Sequence, residues 1–256
     1  MNQEQTIAHG FRTRLQAGDM LAGTIVTLPA PTSAEILADL GFDWLFIDSE
    51  HGPLETPEVL GILQTVGHKT PCIVRVPAAQ EVPIKKVLDL GAAGVIVPQV
   101  NSAEQAADVV RYARYSPAGN RGVGLARAHG YGFRFQEYIE SANDLVSVIV
   151  QAEHAEAVEN IEAVVQVEGI DAVFVGPYDL AASMGKMGQV DDPVVVDAID
   201  HVTQTCQAAK IPLGYFGLSV SAVRPYMKRG YTLIVAGADV LFLGNAAKRT
   251  LSELRS

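Results

Sequence analysis

Four segments of the chain repeat one form, and that repetition limits the architectures open to it. Gly41–Asp48, Gly91–Pro98, Gly169–Gly176 and Gly230–Gly237 each open on glycine and then enter an apolar run rich in β-branched or aromatic side chains. Glycine suits the position just past a helix, where the backbone turns left-handed. The run behind it suits a parallel strand covered on both faces. Helical patterns precede all four, at Ser33–Leu40, Val82–Leu90, Ala155–Val165 and Ser221–Arg229. Strand thus alternates with helix, as crossovers between parallel strands require.

Four more strands are predicted at Ala22–Thr27, Cys72–Val76, Val146–Ala152 and Leu213–Phe216. Eight βα units in 256 residues match a closed (β/α)₈ TIM barrel of about 250 residues. The expectation is an α/β protein whose residues 1–256 form one barrel domain. An open, doubly wound sheet is the alternative, but Thr27-Leu-Pro-Ala-Pro31 lacks the Gly-rich fingerprint such a sheet carries after its first strand. The interval from Gln99 to Ser147 is longer than the others and holds a helix, Ser102–Tyr115, then a Gly-rich segment, Ser116–Gly132. We expect that segment on the face where loops carry function, with His129 within reach of a substrate. Its Gly122-Val-Gly124 reads better as a surface excursion than as a phosphate cradle.

Charge and composition remove several classes of function. A formal net charge of −10 without any Lys/Arg run argues against nucleic acid, which needs clustered cations. No apolar run approaches the ~20 residues that span a bilayer, so no membrane partner is expected. Cys72 and Cys206 form no CxxC pair, which fits a reducing cytoplasm and no thiolate metal site. The polar opening Met1–Thr6 is followed by no apolar core of a signal peptide. A soluble, cytoplasmic protein is expected.

The polar residues at the strand ends carry the functional signal. Asp48, Glu50 and His51 follow the second strand and Arg75 ends the third. Gln99 follows the fourth, Gln151 and Glu153 end the fifth, and Asp179 lies past the sixth. One βα unit separates neighbours in this series, so a barrel brings them to one mouth. Glu153 and Asp179 suit three settings: ligands of a hard cation, an acid/base pair, or acidic starts of the helices that follow. His51 beside carboxylates suits proton transfer near pH 7, or a loop histidine satisfied by backbone. Arg75 at the end of an apolar strand is costly unless paired; it reads as a structural ion pair or as a fixed cation facing an oxyanion. His154 is placed at a helix start. No lysine ends a strand, which argues against Schiff-base chemistry.

These residues sit in stretches that resemble the class II pyruvate aldolases of the 4-hydroxy-2-oxoheptanedioate and 2-dehydro-3-deoxyglucarate aldolase family. The stretches are Gly41–Gly52, Arg75-Val-Pro77, Gly91–Pro98, Arg114–Gly122, Gln151-Ala-Glu153 and Phe174–Gly185. They run in family order, with a looser match through the last two strands. The resemblance implies a barrel of the phosphoenolpyruvate/pyruvate type. It implies that Glu153 and Asp179 hold Mg²⁺, Mn²⁺ or Co²⁺, which pyruvate chelates through its carboxylate and ketone oxygens. By the same resemblance Arg75 stabilises the enolate oxygen, Gln151 positions substrate, and His51 with Asp48 transfers protons. Gly176 and Pro177 border the bound substrate.

The implied reaction forms or cleaves 4-hydroxy-2-oxo acids from pyruvate and an aldehyde. Hexamers are implied too, with the C-terminal helix, here Ala238–Leu254, packed on or swapped with a neighbour. Tyr178 departs from the usual Ser or Ala; a phenol there narrows the aldehyde pocket or donates a hydrogen bond to it. It is also associated with the related macrophomate synthase branch. Phe216 reads as an apolar wall of the same pocket. Two alternatives remain: a related lyase using another acceptor such as an acyl-CoA, for which no basic patch is present, and a barrel that only binds a keto acid.

Overall fold

The computed structural model describes all 256 residues and closes the predicted barrel. Its strands are β1 (Leu21–Val26), β2 (Trp44–Asp48), β3 (Cys72–Arg75), β4 (Gly94–Val97), β5 (Ser147–Ala152), β6 (Ala172–Val175), β7 (Leu213–Gly217) and β8 (Leu233–Ala238). They pair in parallel in sequence order, and β8 returns to β1. The glycine that opens each of the four repeats has φ between 89° and 97°, the left-handed geometry expected past a helix.

Twelve α-helices accompany the strands. They are α1 (Gln3–Ala17), α2 (Pro31–Asp39), α3 (Thr56–Val66), α4 (Glu81–Asp89), α5 (Ala103–Ala113), α6 (Phe135–Leu145), α7 (Ala155–Glu159), α8 (Ile161–Val164), α9 (Pro177–Ser183), α10 (Pro193–Ala209), α11 (Val220–Lys228) and α12 (Asp239–Leu254). None is long and apolar enough to cross a membrane.

Alternation along the strands builds two cores. Leu45 and Ile47 face outward into the layer between strands and helices, while Trp44 and Phe46 face into the barrel. The interior admits such large rings because glycine stands opposite them. A Cβ on Gly23 would lie 2.6 Å from the Trp44 indole, and one on Gly214 would lie 2.2 Å from the Phe174 ring. At the end where the strands begin, α1 closes the barrel with Ala8, Phe11 and Leu15, Phe11 meeting Trp44 at 5.9 Å between ring centroids. Access to the interior is left at the opposite end.

Two expectations are corrected. The single helix over Ala155–Val165 is two, α7 and α8, divided at Asn160, whose ψ of 4° departs from the helix. The Asn160 side-chain amide there donates to the Asn101 carbonyl at 2.9 Å, tying the break to the loop after β4. The Gly-rich segment Ser116–Gly132 is at the closed end, because it follows a helix and not a strand. Arg127 donates to the Leu90 carbonyl at 2.8 Å and pairs with Glu4 of α1. His129 is buried there and touches no substrate site. Its Nδ1 faces the Gly132 N–H at 3.0 Å, and its Nε2 lies 2.9 Å from the Ala126 N–H and 2.7 Å from the Gly124 carbonyl.

α12 differs from every other helix. Its first residue, Asp239, is buried and accepts from the Thr27 and Leu28 N–H groups and the Thr27 hydroxyl. From Phe242 onward the helix is exposed, including Leu243, Leu251 and Leu254. It leaves the barrel instead of covering β8.

Asp171, at the start of β6, holds the plug in place. Its buried carboxylate accepts from Arg12 and Gln16 of α1 at 2.8 Å each, from Arg114 at 3.2 Å and from the Val148 N–H at 2.8 Å. Asp171→Ala leaves Arg114 buried without its counter-ion and is expected to cost about 3–5 kcal/mol. Urea unfolding would show it as a lower midpoint; an unchanged midpoint would mean α1 is held by apolar contact alone.

Candidate active site

Register brings the central pair of the mouth together. Asp48 and Arg75 are direct partners on β2 and β3. The guanidinium forks onto the carboxylate, Nε to Oδ1 at 2.9 Å and Nη2 to Oδ2 at 2.7 Å. Both side chains are buried, so each supplies the charge the other needs. Burial alone would lower the Arg75 pKa, but its hydrogen bonds to Asp48 and the charges of Asp48, Glu50 and Glu153 raise it.

Asp48 Oδ1 also accepts from the backbone N–H groups of Glu50 and His51 at 3.1 and 3.2 Å. The loop folds back so tightly that a Cβ on Gly52 would lie 2.4 Å from the Asp48 carbonyl. One carboxylate therefore orients the arginine and the loop together. The pairing of Asp48 with the His51 ring implied by resemblance is not what the side chains show. The His51 imidazole is 63% exposed and its Nε2 lies 3.8 Å from Glu50 Oε2, because the Asp48 oxygens are taken by the guanidinium and the two backbone donors.

Across the mouth, Glu153 follows β5 and is buried. Its Oε1 accepts from the Gln99 N–H at 2.8 Å and its Oε2 from the Gln151 amide at 2.5 Å. Gln99 has φ of 54°, a left-handed conformation uncommon outside glycine, and strain of this kind gathers at working sites. Burial, with the like charges of Glu50 and Asp179, pushes Glu153 up to about 7 against the lowering effect of the Gln99 N–H and Arg75. Burial also raises Glu50, opposed by Arg75. Gly176 gives Glu153 room, since a Cβ there would lie 2.8 Å from its Oε2.

Neither carboxylate caps a helix. His154 caps α7 by accepting from the Glu156 N–H at 3.2 Å, as placed from sequence. Asp179 lies in the first turn of α9, which has no side-chain cap, and its carboxylate makes no hydrogen bond.

A cavity of about 180 Å³ opens among these groups. His51, Arg75, Gln151 and Asp179 line it with Gly176, Pro177, Tyr178 and Phe216, over a floor of Ile25, Phe46 and Phe174. Asp48 and Glu153 stand behind, bonded to Arg75 and Gln151. The cavity is well below the ~300 Å³ of a drug-sized ligand site, which favours a molecule of a few heavy atoms.

Two groups here escaped the sequence reading. Glu50 was placed at the mouth without a role, yet its Oε2 is buried without a hydrogen-bond partner, 3.2 Å from Arg75 Nε. The Gln99 backbone N–H has no sequence signal, because any residue supplies one. Gln151 Oε1 is the other buried acceptor left without a partner at this mouth. Four carboxylates, Asp48, Glu50, Glu153 and Asp179, thus face one guanidinium. No three His, Cys, Asp or Glu side chains converge to form an ion cage by themselves. A hard cation held by one or two carboxylates, with its other positions open to small ligands, suits this donor set.

Comparison with known proteins agrees with this geometry. The family model described as HpcH/HpaI aldolase/citrate lyase matches residues 22–246. A 4-hydroxy-2-oxovalerate aldolase of Rhodococcus jostii is 42% identical over 96% of this chain and 95% of its own. A hydroxypyruvate/pyruvate aldolase of Cupriavidus necator is 40% identical over 96% of this chain and 92% of its own. Among solved structures, an HpcH/HpaI aldolase/citrate lyase family protein of Burkholderia cenocepacia superposes with a TM-score of 0.93. It is 37% identical, covering 97% of this chain and 100% of that one. With its closed barrel and the strand-end residues in family order, the chain belongs to the HpcH/HpaI aldolase/citrate lyase family.

Proposed function

We propose that the protein is a divalent-metal-dependent pyruvate aldolase that forms and cleaves 4-hydroxy-2-oxo acids. The carrying observation is the charge imbalance of the mouth: a forked, buried Arg75–Asp48 pair faces Glu50, Glu153 and Asp179 with no second fixed cation. Glu153 and Asp179 would hold Mg²⁺, Mn²⁺ or Co²⁺ between them. Such an ion acts as a Lewis acid, polarising a keto acid and easing loss of a methyl proton.

The remaining roles belong to side chains and backbone. Arg75 has Nη1 free of hydrogen bonds, aimed by the Asp48 fork, and this group stabilises negative charge developing on the keto oxygen. Gln151 keeps Glu153 in place with its amide N–H and presents its free Oε1 to bound substrate. Gly176 and Pro177 let the substrate carboxylate approach the start of α9. His51, exposed beside Glu50, removes the methyl proton and returns one to the aldehyde oxygen once the new carbon-carbon bond has formed. In the cleavage direction the same groups act in reverse. Tyr178 and Phe216 close the aldehyde side, with ring centroids 6.3 Å apart. An acyl-CoA acceptor is disfavoured by the small cavity and the absence of a basic patch.

Assembly follows from α12. An exposed helix carrying Phe242, Leu243, Leu251 and Leu254 is read as packing on a neighbouring subunit of a hexamer, since apolar faces of this extent are seldom left in water.

Methyl-proton exchange of pyruvate in D₂O, followed by NMR, tests the chemistry without choosing an aldehyde. Exchange is expected with Mg²⁺ or Mn²⁺ and is expected to stop on chelation. Absence of exchange with every divalent metal would leave a binding barrel. Arg75→Ala would strand Asp48, so Arg75→Lys is the cleaner variant. It keeps the cation but loses the fork, and exchange is expected to fall on the order of 10²-fold.

Glu153→Gln probes the site through stability. With a pKa near 7, Glu153 is ionised and unfavourable in the folded, metal-free protein at pH 8, but neutral near pH 5. A group raised in this way contributes stability below its unfolded pKa and loses it as pH rises through 7. The variant is therefore expected to melt higher than the parent at pH 8 and equally below about pH 4, and to gain nothing from Mg²⁺. Equal melting at both pH values would place Glu153 in a well-solvated site.

Removing Val240–Ser256 is expected to leave a folded monomer by light scattering. A mass unchanged from the full chain would remove α12 from the assembly.

A further inference from the structure

A second cavity lies on the far side of the wall that closes the aldehyde side of the mouth. It holds about 490 Å³ and shares Pro177, Tyr178 and Phe216 with the smaller one. The Tyr178 and Phe216 rings, with centroids 6.3 Å apart, line both. Tyr178 is 37% exposed and its hydroxyl makes no hydrogen bond, so nothing but packing holds the ring across the boundary.

Beyond that boundary the lining is mixed, with Val190, Ala222 and Pro225 set among polar groups. Ser221 and Tyr226 come from α11, Arg229 follows its end, and Asp191 comes from the turn before α10. The Tyr226 ring is fixed by stacking on Tyr215, with centroids 3.6 Å apart. Arg229 directs Nη2 to Asp200 and to the Thr203 hydroxyl, which leaves Nε and Nη1 without partners.

The charges decide what this space suits. Asp200 neutralises Arg229, and Asp191 adds a carboxylate, so no excess positive charge remains to hold an anion. Hydroxyls, guanidinium N–H groups and a carboxylate offer donors and acceptors side by side. Alcohols are the complementary class, because each hydroxyl both donates and accepts.

We propose that this second cavity is the subsite for the hydroxylated tail of the acceptor aldehyde, with Tyr178 as the specificity-determining residue at its entrance. This rests on the aldolase reading of the mouth. The aldehyde carbon meets the pyruvate-derived carbon in the small cavity, and the tail passes the Tyr178 edge toward Ser221, Tyr226 and Arg229. Tyr178 donates its free hydroxyl to the first tail alcohol. An alkyl tail of equal length would strip water from the same polar groups and return no bonds.

The test compares kcat/KM for D-erythrose and for butanal, with pyruvate and Mg²⁺, in the full-length enzyme. Erythrose is expected to be preferred. Ser221→Ala/Tyr226→Phe keeps the ring stack and is expected to lower the erythrose-to-butanal ratio about three- to tenfold, the loss of one or two modest hydrogen bonds. Arg229→Gln and Tyr178→Phe are expected to move the ratio the same way.

Pyruvate methyl exchange in D₂O is the control, since it needs no acceptor. Exchange intact with an unchanged ratio in all the variants would overturn the subsite while leaving the aldolase reading in place. Loss of exchange in the parent protein would instead remove the reading on which the subsite rests. An unchanged ratio with a shift in oligomeric mass would also overturn the proposal, assigning the cavity to a subunit contact.

Discussion

The Asp48–Arg75 fork is the interaction on which the mouth depends. It arises from strand register, which sets the two residues opposite each other at the ends of β2 and β3. A buried guanidinium is costly unless paired, and a carboxylate placed there by the sheet itself removes most of that cost. The same carboxylate takes two backbone N–H groups of the next loop. The cation, the Glu50 side chain and the His51 side chain are thus positioned by one anion. Charge and geometry cannot be varied separately at this site.

Around that pair the barrel divides its labour between its ends. Where the strands begin, Asp171 gathers Arg12, Gln16 and Arg114, and α1 seals the interior. One carboxylate there serves two guanidinium groups, and burial together with Arg12 lowers the Arg114 pKa to about 10. Where the strands end, carboxylates outnumber guanidinium groups, and Glu50 Oε2 and Gln151 Oε1 lack partners. Unsatisfied buried acceptors cost free energy in the isolated fold, and Gln151 lines the cavity where a bound molecule can satisfy it.

Much of this was legible in the sequence because it depends on local pattern. A glycine before four of the β-branched runs marks a helix end and a buried strand whatever surrounds it, and with the four strands between them these units imply a barrel. Convergence of Asp48, His51, Arg75, Gln151, Glu153 and Asp179 follows from topology once the units are counted. The Ser116–Gly132 segment shows where pattern is insufficient. Its glycines and His129 resemble a functional loop, but a segment that follows a helix belongs to the closed end. Asn160 is a second case, where the chain leaves helical geometry and the amide reaches the Asn101 carbonyl of a distant loop, a contact that helical spacing does not reveal.

The sequence by itself determined the fold class, the family and the set of residues at the mouth, because strand periodicity and strand-end position are properties of short stretches. Only the tertiary structure decided how those residues pair. Asp48 serves Arg75 and not the His51 ring, Glu153 leans on a left-handed Gln99, and Glu50 turns to Arg75, because each outcome depends on groups brought together from different strands. The fate of α12 and the cavity behind Tyr178 belong with them. Burial and partner choice are set by what the closed barrel leaves uncovered, and no stretch of sequence contains that information.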